Sequence, residues 1–398
     1  MTSRKILHLD LDAFFCAVEE QRDRSLRKTA FAVGGQPDQR GVVASCSYPA
    51  RVFGVRSAMP MATAVRLCPD LIIVPQHRDA YSAASRQVMA HLHTFTPLVE
   101  QISIDEAFLD VSLLPDPPKF IADRIQASIH DQFDLPCSLG VATNKMVAKI
   151  ANNIGKANAR HPDQPPNAVS VVPPGDEATF LASLPIRELW GVGPKTGERL
   201  LHLGIRTIGD LARWPEDALG QRFGKQGRDM ARHARGIDTR PVVTEHETKS
   251  ISQEITFARD EKDSEKLKQG LHRLSDQVGR RVRQSELGGK TVSIKLRWAD
   301  FTTLTRQMTL DHPTDQDDEI YAAALLLFEQ TWPAGRPVRL IGVGISGFEE
   351  PHRQLGLWED TDALEQGQRL QSTLDDLRDR FGDRAIKRGS DLKPRRDG

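Results

Sequence analysis

Ser103-Ile104-Asp105-Glu106-Ala107-Phe108-Leu109-Asp110 sets two adjacent acids between apolar runs, Val99 to Ile104 before them and Ala107 to Val111 after. Alternation at period two predicts strands, and the break at Asp105-Glu106 predicts the tip of a hairpin or a bulge. Two carboxylates at a sheet edge are costly unless something cationic sits between them, either an arginine or a divalent metal. The N-terminus favours metal. Ile6-Leu7-His8-Leu9-Asp10 is a short apolar strand ending on an acid, the place where open sheets put ligands. Asp10 converging on Asp105 and Glu106 would make an oxygen-ligand site suited to Mg²⁺. That pattern fits two-metal phosphoryl transfer, with ions roughly 3.5–4 Å apart clamping the attacking and leaving oxygens. Asp12 has a plainer reading, as the N-cap of the helix-like run Ala13 to Arg22.

A chain of 398 residues has room for roughly two to four domains with their own cores. Its 54 basic and 54 acidic residues cancel, so the placement of positive charge, rather than its sum, has to identify a nucleic-acid partner. Cys16, Cys46, Cys68 and Cys137 stand apart with no metal spacing, which predicts buried thiols in a reduced compartment. No apolar run approaches about 18 residues, and Met1-Thr2-Ser3-Arg4 leads straight into a strand. The expectation is a soluble, cytoplasmic protein with no membrane contact.

Ala44-Ser45-Cys46-Ser47-Tyr48-Pro49-Ala50-Arg51-Val52-Phe53-Gly54-Val55 follows in the first quarter. With Asp10-Leu11-Asp12-Ala13-Phe14-Phe15 and Ser103-Ile104-Asp105-Glu106-Ala107, in this order and spacing, it resembles the Y family of translesion DNA polymerases, in the DinB or DNA polymerase IV branch. The resemblance runs from about residue 5 to about residue 358. It implies that Asp10, Asp105 and Glu106 hold two Mg²⁺ ions, with the Leu11 carbonyl as a further ligand. Phe15 would be the steric gate beneath the sugar; read without the family, it is a plain core phenylalanine. Tyr48 and Arg51 would hold the dNTP triphosphate, Arg51 through its bidentate fork, with Ser45 as an added donor. The family's Lys-Pro-Asn-Gly element, whose lysine meets the triphosphate, is here Lys156-Ala157-Asn158-Ala159. Lys156 keeps the phosphate role, and the loop loses its rigid residues.

The remaining pattern predicts an α+β, multidomain chain. Palm helices over Tyr81 to Phe95 and Phe120 to Phe133 would pack on one face of an antiparallel sheet, and the strand Leu71 to Val74 would return the chain to that sheet. Cys137 to Ala142 reads as the last palm strand, and Lys145 and Lys149 share a helix face of the kind that is often merely solvated. Leu184 to Leu203 resembles a helix-hairpin-helix, with Gly191 and Gly193 at a tight turn and Pro194 opening a helix. Lys195 lies beside it, and Pro185 to Arg240 carries 11 basic against 7 acidic residues. A domain gripping duplex phosphates is the inference, and an ordinary αα-hairpin is the alternative.

Asp238 to Lys249 reads as a linker. Beyond it, Asp263 to Val282 is a helix, and Thr291 to Trp298 alternates so that Lys295 and Arg297 face outward, either along DNA or as a simple exposed face. Gln354, Leu355, Leu357 and Trp358 resemble a sliding-clamp motif, and Leu370, Leu374, Leu377 and Phe381 form an amphipathic stripe in the tail. The expected organisation is palm 1–10 and 76–172, small fingers 11–75, thumb 173–237, linker 238–248, an α+β little finger 249–350, and a clamp motif with tail 351–398. The expected function is low-fidelity, template-directed synthesis on primer-template DNA by a monomer, without a proofreading exonuclease. A catalytically silent DNA- and clamp-binding scaffold, or another palm-type nucleotidyl transferase, would be the competing reading.

Overall fold

The computed structural model describes residues 3–159, 161, 163–349 and 361–382, with no account of the side chains of 361–368. It divides into two compact units, with the break after His246.

The first unit opens with β1 (Ile6–Leu11) and α1 (Phe14–Arg22), then β2 (Phe31–Gly34), β3 (Val43–Cys46), α2 (Tyr48–Val52), α3 (Met61–Leu67) and β4 (Ile72–Val74). It continues through α4 (Arg78–Leu92), β5 (Val99–Gln101), β6 (Glu106–Asp110), α5 (Pro118–Phe133), β7 (Cys137–Ala142), α6 (Lys145–Asn158) and β8 (Val169–Val171). Five strands form one sheet in the order β5-β6-β1-β7-β8. Pairing is antiparallel except between β7 and β8, which run parallel. Val169–Val171 therefore extends the sheet beyond Cys137–Ala142. The expectation for Leu71 to Val74 is overturned: Ile72–Val74 pairs in parallel with Phe31–Gly34 in a separate three-stranded sheet, β3-β2-β4.

Residue alternation assigns the two faces of the larger sheet. Leu7, Leu9 and Leu11 of β1, Ala107 and Leu109 of β6, and Leu139 and Val141 of β7 join one core with Val88 and Leu92 of α4 and Ile121, Ile125 and Ile129 of α5. Each buried leucine there contributes roughly 1.5–3 kcal/mol. Ile6, Phe108 and Ala142, one residue out of phase, join a second core with Met146, Val147 and Ile150 of α6. Helices thus cover both faces, where the sequence suggested one. The approach of α6 is close: a Cβ at Gly140 would collide with the Ala148 carbonyl. This contact sets α6 against the end of the sheet where the acids lie.

The first unit closes with α7 (Glu177–Ala182), α8 (Pro194–His202), α9 (Ile208–Ala212) and α10 (Glu216–Ala234). Thr207 and Asp210 form a reciprocal capping box that starts α9. The chain beyond is fastened rather than free. Asp238 is buried and accepts from Arg240 at 2.7 Å and from the Met146 amide at 3.2 Å, and the Val243 amide donates to Glu100 at 2.8 Å. The start of the expected linker is thus part of the first body.

The second unit is a four-stranded antiparallel sheet, β11-β10-β12-β9, with two helices on one face: β9 (Ser250–Glu261), α11 (Ser264–Gln284), β10 (Gly288–Trp298), β11 (Thr303–Thr314), α12 (Asp317–Thr331) and β12 (Val338–Glu349). Val292, Ile294, Leu296 and Trp298 enter its core with Leu267, Leu271, Leu274 and Val278, as their alternation predicts. α13 (Thr361–Phe381) follows. Leu370 and Phe381 of its expected apolar stripe are 61% and 70% exposed. Among the described residues of α13, Gln371 is buried and Leu374 and Leu377 are half-buried, and ion pairs add to the attachment: Arg283 with Asp375 at 2.7 Å and Arg280 with Asp379 at 2.5 Å. No helix among the described residues is long and apolar enough to cross a membrane.

Candidate active site

Asp10 and Glu106 are direct partners in the β1–β6 ladder, and the Leu11 amide donates to the Asp105 carbonyl at 2.9 Å. Two strands distant in sequence therefore end together, with Asp105 in the turn between β5 and β6. Alternation puts His8, Asp10 and Glu106 on the face that α6 covers, so α6 supplies their partners. Lys156 donates to Asp10 Oδ1 at 2.7 Å and pairs with Asp12 Oδ1 at 2.8 Å. Lys149 donates to Glu106 Oε2 at 2.5 Å. Lys145, one turn earlier, is buried against Glu100 at 2.7 Å. The expectation that Lys145 and Lys149 are merely solvated fails, because α6 lies along the sheet face rather than on the surface.

Burial drives the Asp10 carboxyl up to about 6, against the pull of Lys156. Burial would raise Glu106 too, but the nearby His8 imidazole and the hydrogen bond from Lys149 outweigh it and hold the carboxyl near 2. Asn152 Nδ2 lies 3.0 Å from His8 Nδ1, which leaves Nε2 to face Glu106 Oε2 at 3.6 Å. Burial lowers the His8 imidazole to about 4, so it stays neutral. Burial also works against the Lys156 charge, yet Asp10 and Asp12 raise its pKa.

The cleft beside these acids is lined by Asp10, Leu11, Phe15, Ser45, Arg51, Ser57, Asp105 and Lys156, among others. Phe15 stacks on Tyr81, with centroids 4.4 Å apart and planes at 15°. Tyr81 is pinned in turn by Glu19, which accepts its hydroxyl at 2.5 Å and meets His77 Nδ1 at 2.8 Å. The Arg51 guanidinium lies 4.5 Å over the Tyr48 ring, and Arg51 Nε donates to the Cys46 carbonyl at 3.3 Å. Tyr48 supports Arg51, and its buried hydroxyl has no hydrogen-bond partner among the described residues.

Asp105 turns to Ser103, whose hydroxyl donates to Oδ1 at 2.6 Å. Among the described residues, no three acidic, histidine or cysteine side chains are gathered so that they could hold a metal ion as they stand. The donor set is nevertheless hard: three carboxylates and a backbone carbonyl, which suit Mg²⁺. Two of those carboxylates are met by ammonium groups, which marks the place as one that demands positive charge.

Asp12 is not a helix cap. The α1 cap is Ala13, at a left-handed φ of 48° with no side-chain cap bond, and Asp12 points inward, where Ser138 Oγ donates to Oδ2 at 2.7 Å. The roles of Lys149 and Tyr81 and the inward turn of Asp12 are not read from the sequence; the four-residue spacing of Lys145 and Lys149 and the place of Asp12 in the Asp10-to-Phe15 motif are the signals that point to two of them.

Gly191 sits at φ 95°, which favours glycine, and Pro194 opens α8. Gly193 is extended at φ −76°, and a Cβ there meets nothing within 4 Å, so no backbone need explains it. Lys195 is exposed on α8. In the second unit, Lys295 pairs with Glu254 at 2.7 Å, and Arg297 Nε donates to Thr303 Oγ1 at 2.9 Å. That face is therefore mixed in charge at Lys295. Gln354, Leu355, Leu357 and Trp358 lie outside the described residues.

Residues 9–153 match the impB/mucB/samB family, 174–205 the helix-hairpin-helix motif of the same family, and 248–357 its C-terminal domain. A DNA polymerase IV of Desulfatibacillum aliphaticivorans is 41% identical over 97% of this chain and 96% of its own length. One of Halorhodospira halophila is 41% identical over 90% of this chain and 99% of its own. A solved Y-family DNA polymerase chimera superposes with a TM-score of 0.75 at 25% identity, covering 86% of this chain and 98% of that one. The chain belongs to the Y family of DNA polymerases, in the DNA polymerase IV branch.

Proposed function

We propose that Asp10, Asp105 and Glu106 form the nucleotidyl-transfer centre of this enzyme. As a family member, the chain is a DNA-directed DNA polymerase of the translesion type, acting on primer-template DNA with dNTPs. The observation that carries the site is the pairing of Asp10 with Glu106 in the ladder, with Asp105 in the adjoining turn beside a cleft that holds Phe15, Arg51 and Lys156.

In the reaction, the primer 3′-OH attacks the α-phosphate, a new P–O bond forms, and pyrophosphate leaves with the bridging oxygen. Two Mg²⁺ ions, held by Asp10, Asp105, Glu106 and the Leu11 carbonyl, would neutralise charge on the attacking and leaving oxygens. Arg51, braced by Tyr48, offers its fork to the triphosphate, and Lys156 offers an ammonium from the other side. Ser45 and the unpartnered Tyr48 hydroxyl are further donors. Phe15, backed by Tyr81, fills the space a ribose 2′-OH would need.

The assignment divides the first unit into palm, fingers and a thumb whose Gly191–Lys195 segment grips duplex phosphates, followed by a linker and a little finger that tracks DNA with Arg297 and Lys295. Sliding-clamp binding through Gln354 to Trp358, a monomeric state, a cytoplasmic site of action and the absence of proofreading complete the reading. A silent scaffold has no support, since all three acids are present at the sheet end. The test is extension of a labelled primer on undamaged and lesion-bearing templates. Template-specified extension that stops when a chelator removes divalent cations supports the site; extension indifferent to the chelator contradicts it.

A further inference from the structure

We infer that Asp12 is the positioning residue for Lys156. The inference rests on the reading of Lys156 as a triphosphate ligand.

Because Ala157 stands where a proline would interrupt the helix, α6 runs on to Asn158 and Lys156 sits in its last turn. A helix end alone leaves a long lysine side chain many rotamers. The Asp12 carboxylate removes that freedom. Its side chain is fully buried, and its oxygens meet Lys156 Nζ at 2.8 Å, Ser138 Oγ at 2.7 Å and the Asn167 amide at 3.3 Å. The Asp12 amide donates to the Pro136 carbonyl at 2.8 Å, so the residue is fixed by its backbone just ahead of β7 and by its side chain within it. Ser138 Oγ also accepts from the Ala168 amide at 3.0 Å. The Asp12–Ser138 pair thus fastens the place where the chain re-enters the sheet just before β8.

A buried carboxylate is stable only when paired, and Lys156 is the cation that pairs it. Asp10 also accepts from Lys156, but Asp10 is assigned to the cations. An ammonium has three donors. Asp12 meets that ammonium as an ion pair at 2.8 Å, through an oxygen with no hydrogen-bond partner among the described residues, so the ammonium keeps its donors for phosphate oxygens once Asp10 is released.

The test measures dNTP affinity on a dideoxy-terminated primer-template, read by a fluorescent template base, so that no chemistry intervenes. Asp12→Asn keeps the shape and removes the charge. The expected result is about tenfold weaker dNTP binding with DNA affinity unchanged, a similar or larger loss in Lys156→Ala, and a double variant no worse than Lys156→Ala, since the two act as one unit. Ser138→Ala, which loosens Asp12 without emptying the buried position, should cost about threefold; it decides the matter if Asp12→Asn fails to fold. Wild-type affinity in Asp12→Asn beside weak binding in Lys156→Ala overturns the inference and leaves the Lys156 reading standing, as does an additive double variant. Wild-type affinity in Lys156→Ala overturns the Lys156 reading itself.

Discussion

Two glutamate–lysine pairs join α6 to the β5–β6 hairpin one helical turn apart, and they do different work. Lys145 and Glu100 are 6% and 7% exposed, and Glu100 also accepts from the Val243 amide. Lys149 and Glu106 are 18% and 25% exposed, at the open end of the sheet. The inner pair is sealed, so its charges serve only each other and the chain segment they fasten. The outer pair borders the site, so Glu106 can exchange its ammonium partner for another cation. Chemistry is the same in both; access to solvent separates the clasp from the proposed catalytic acid.

The contrast breaks most sharply at the acids. Glu106→Ala should lower primer extension by about a thousandfold or more, with thermal stability nearly unchanged. Glu100→Ala should do the reverse, costing about 3–5 kcal/mol because it strands a buried lysine, with per-molecule extension retained below the unfolding transition; calorimetry and extension on the same samples separate the two. Phe15→Ala should weaken dNTP over rNTP selectivity by on the order of a hundredfold, read by competing substrates. Lys149→Met should lower the extension rate about tenfold and change the Mg²⁺ concentration for half-maximal rate, because Glu106 loses the donor that orients one of its oxygens. Smallest is Arg297→Ala, which should reduce the salt slope of DNA binding by about 1, whereas Lys295→Ala, already paired with Glu254, should change it less.

The strand positions of the acids were legible because strand alternation and a hairpin break are written in short stretches, whereas the pairing of Asp10 with Glu106, nearly a hundred residues later, depends on the β1–β6 ladder. The helices with clean stripes, Ile121 to Ile129 and Leu267 to Val278, were legible for the same reason. What escaped depends on which element lies across from a residue. Asp12 looks like a helix cap until Ala13 takes a left-handed turn and sends the carboxylate inward. Lys149 looks solvated until α6 is known to lie on the acid-bearing sheet face. Ile72–Val74 reads as a strand correctly, but its partner, Phe31–Gly34, is forty residues away and has no marker pointing to it. β9 and β11 do alternate, with Ile251, Ile255 and Phe257 and with Leu304, Met308 and Leu310 toward the core, but Gln253 and Arg306 interrupt each run. In α13, Leu374 and Leu377 of the apolar stripe are half-buried, but Gln371 and Asp375 add a polar attachment that hydrophobic spacing cannot predict.

The central claim is that Asp105 and Glu106 perform chemistry rather than hold the fold. Single-turnover primer extension and DNA affinity, measured together on Asp105→Ala and Glu106→Ala, test it most directly. The account predicts that both variants bind primer-template as the parent does and fail to add a nucleotide. Extension at near-parental rates in both variants would contradict it.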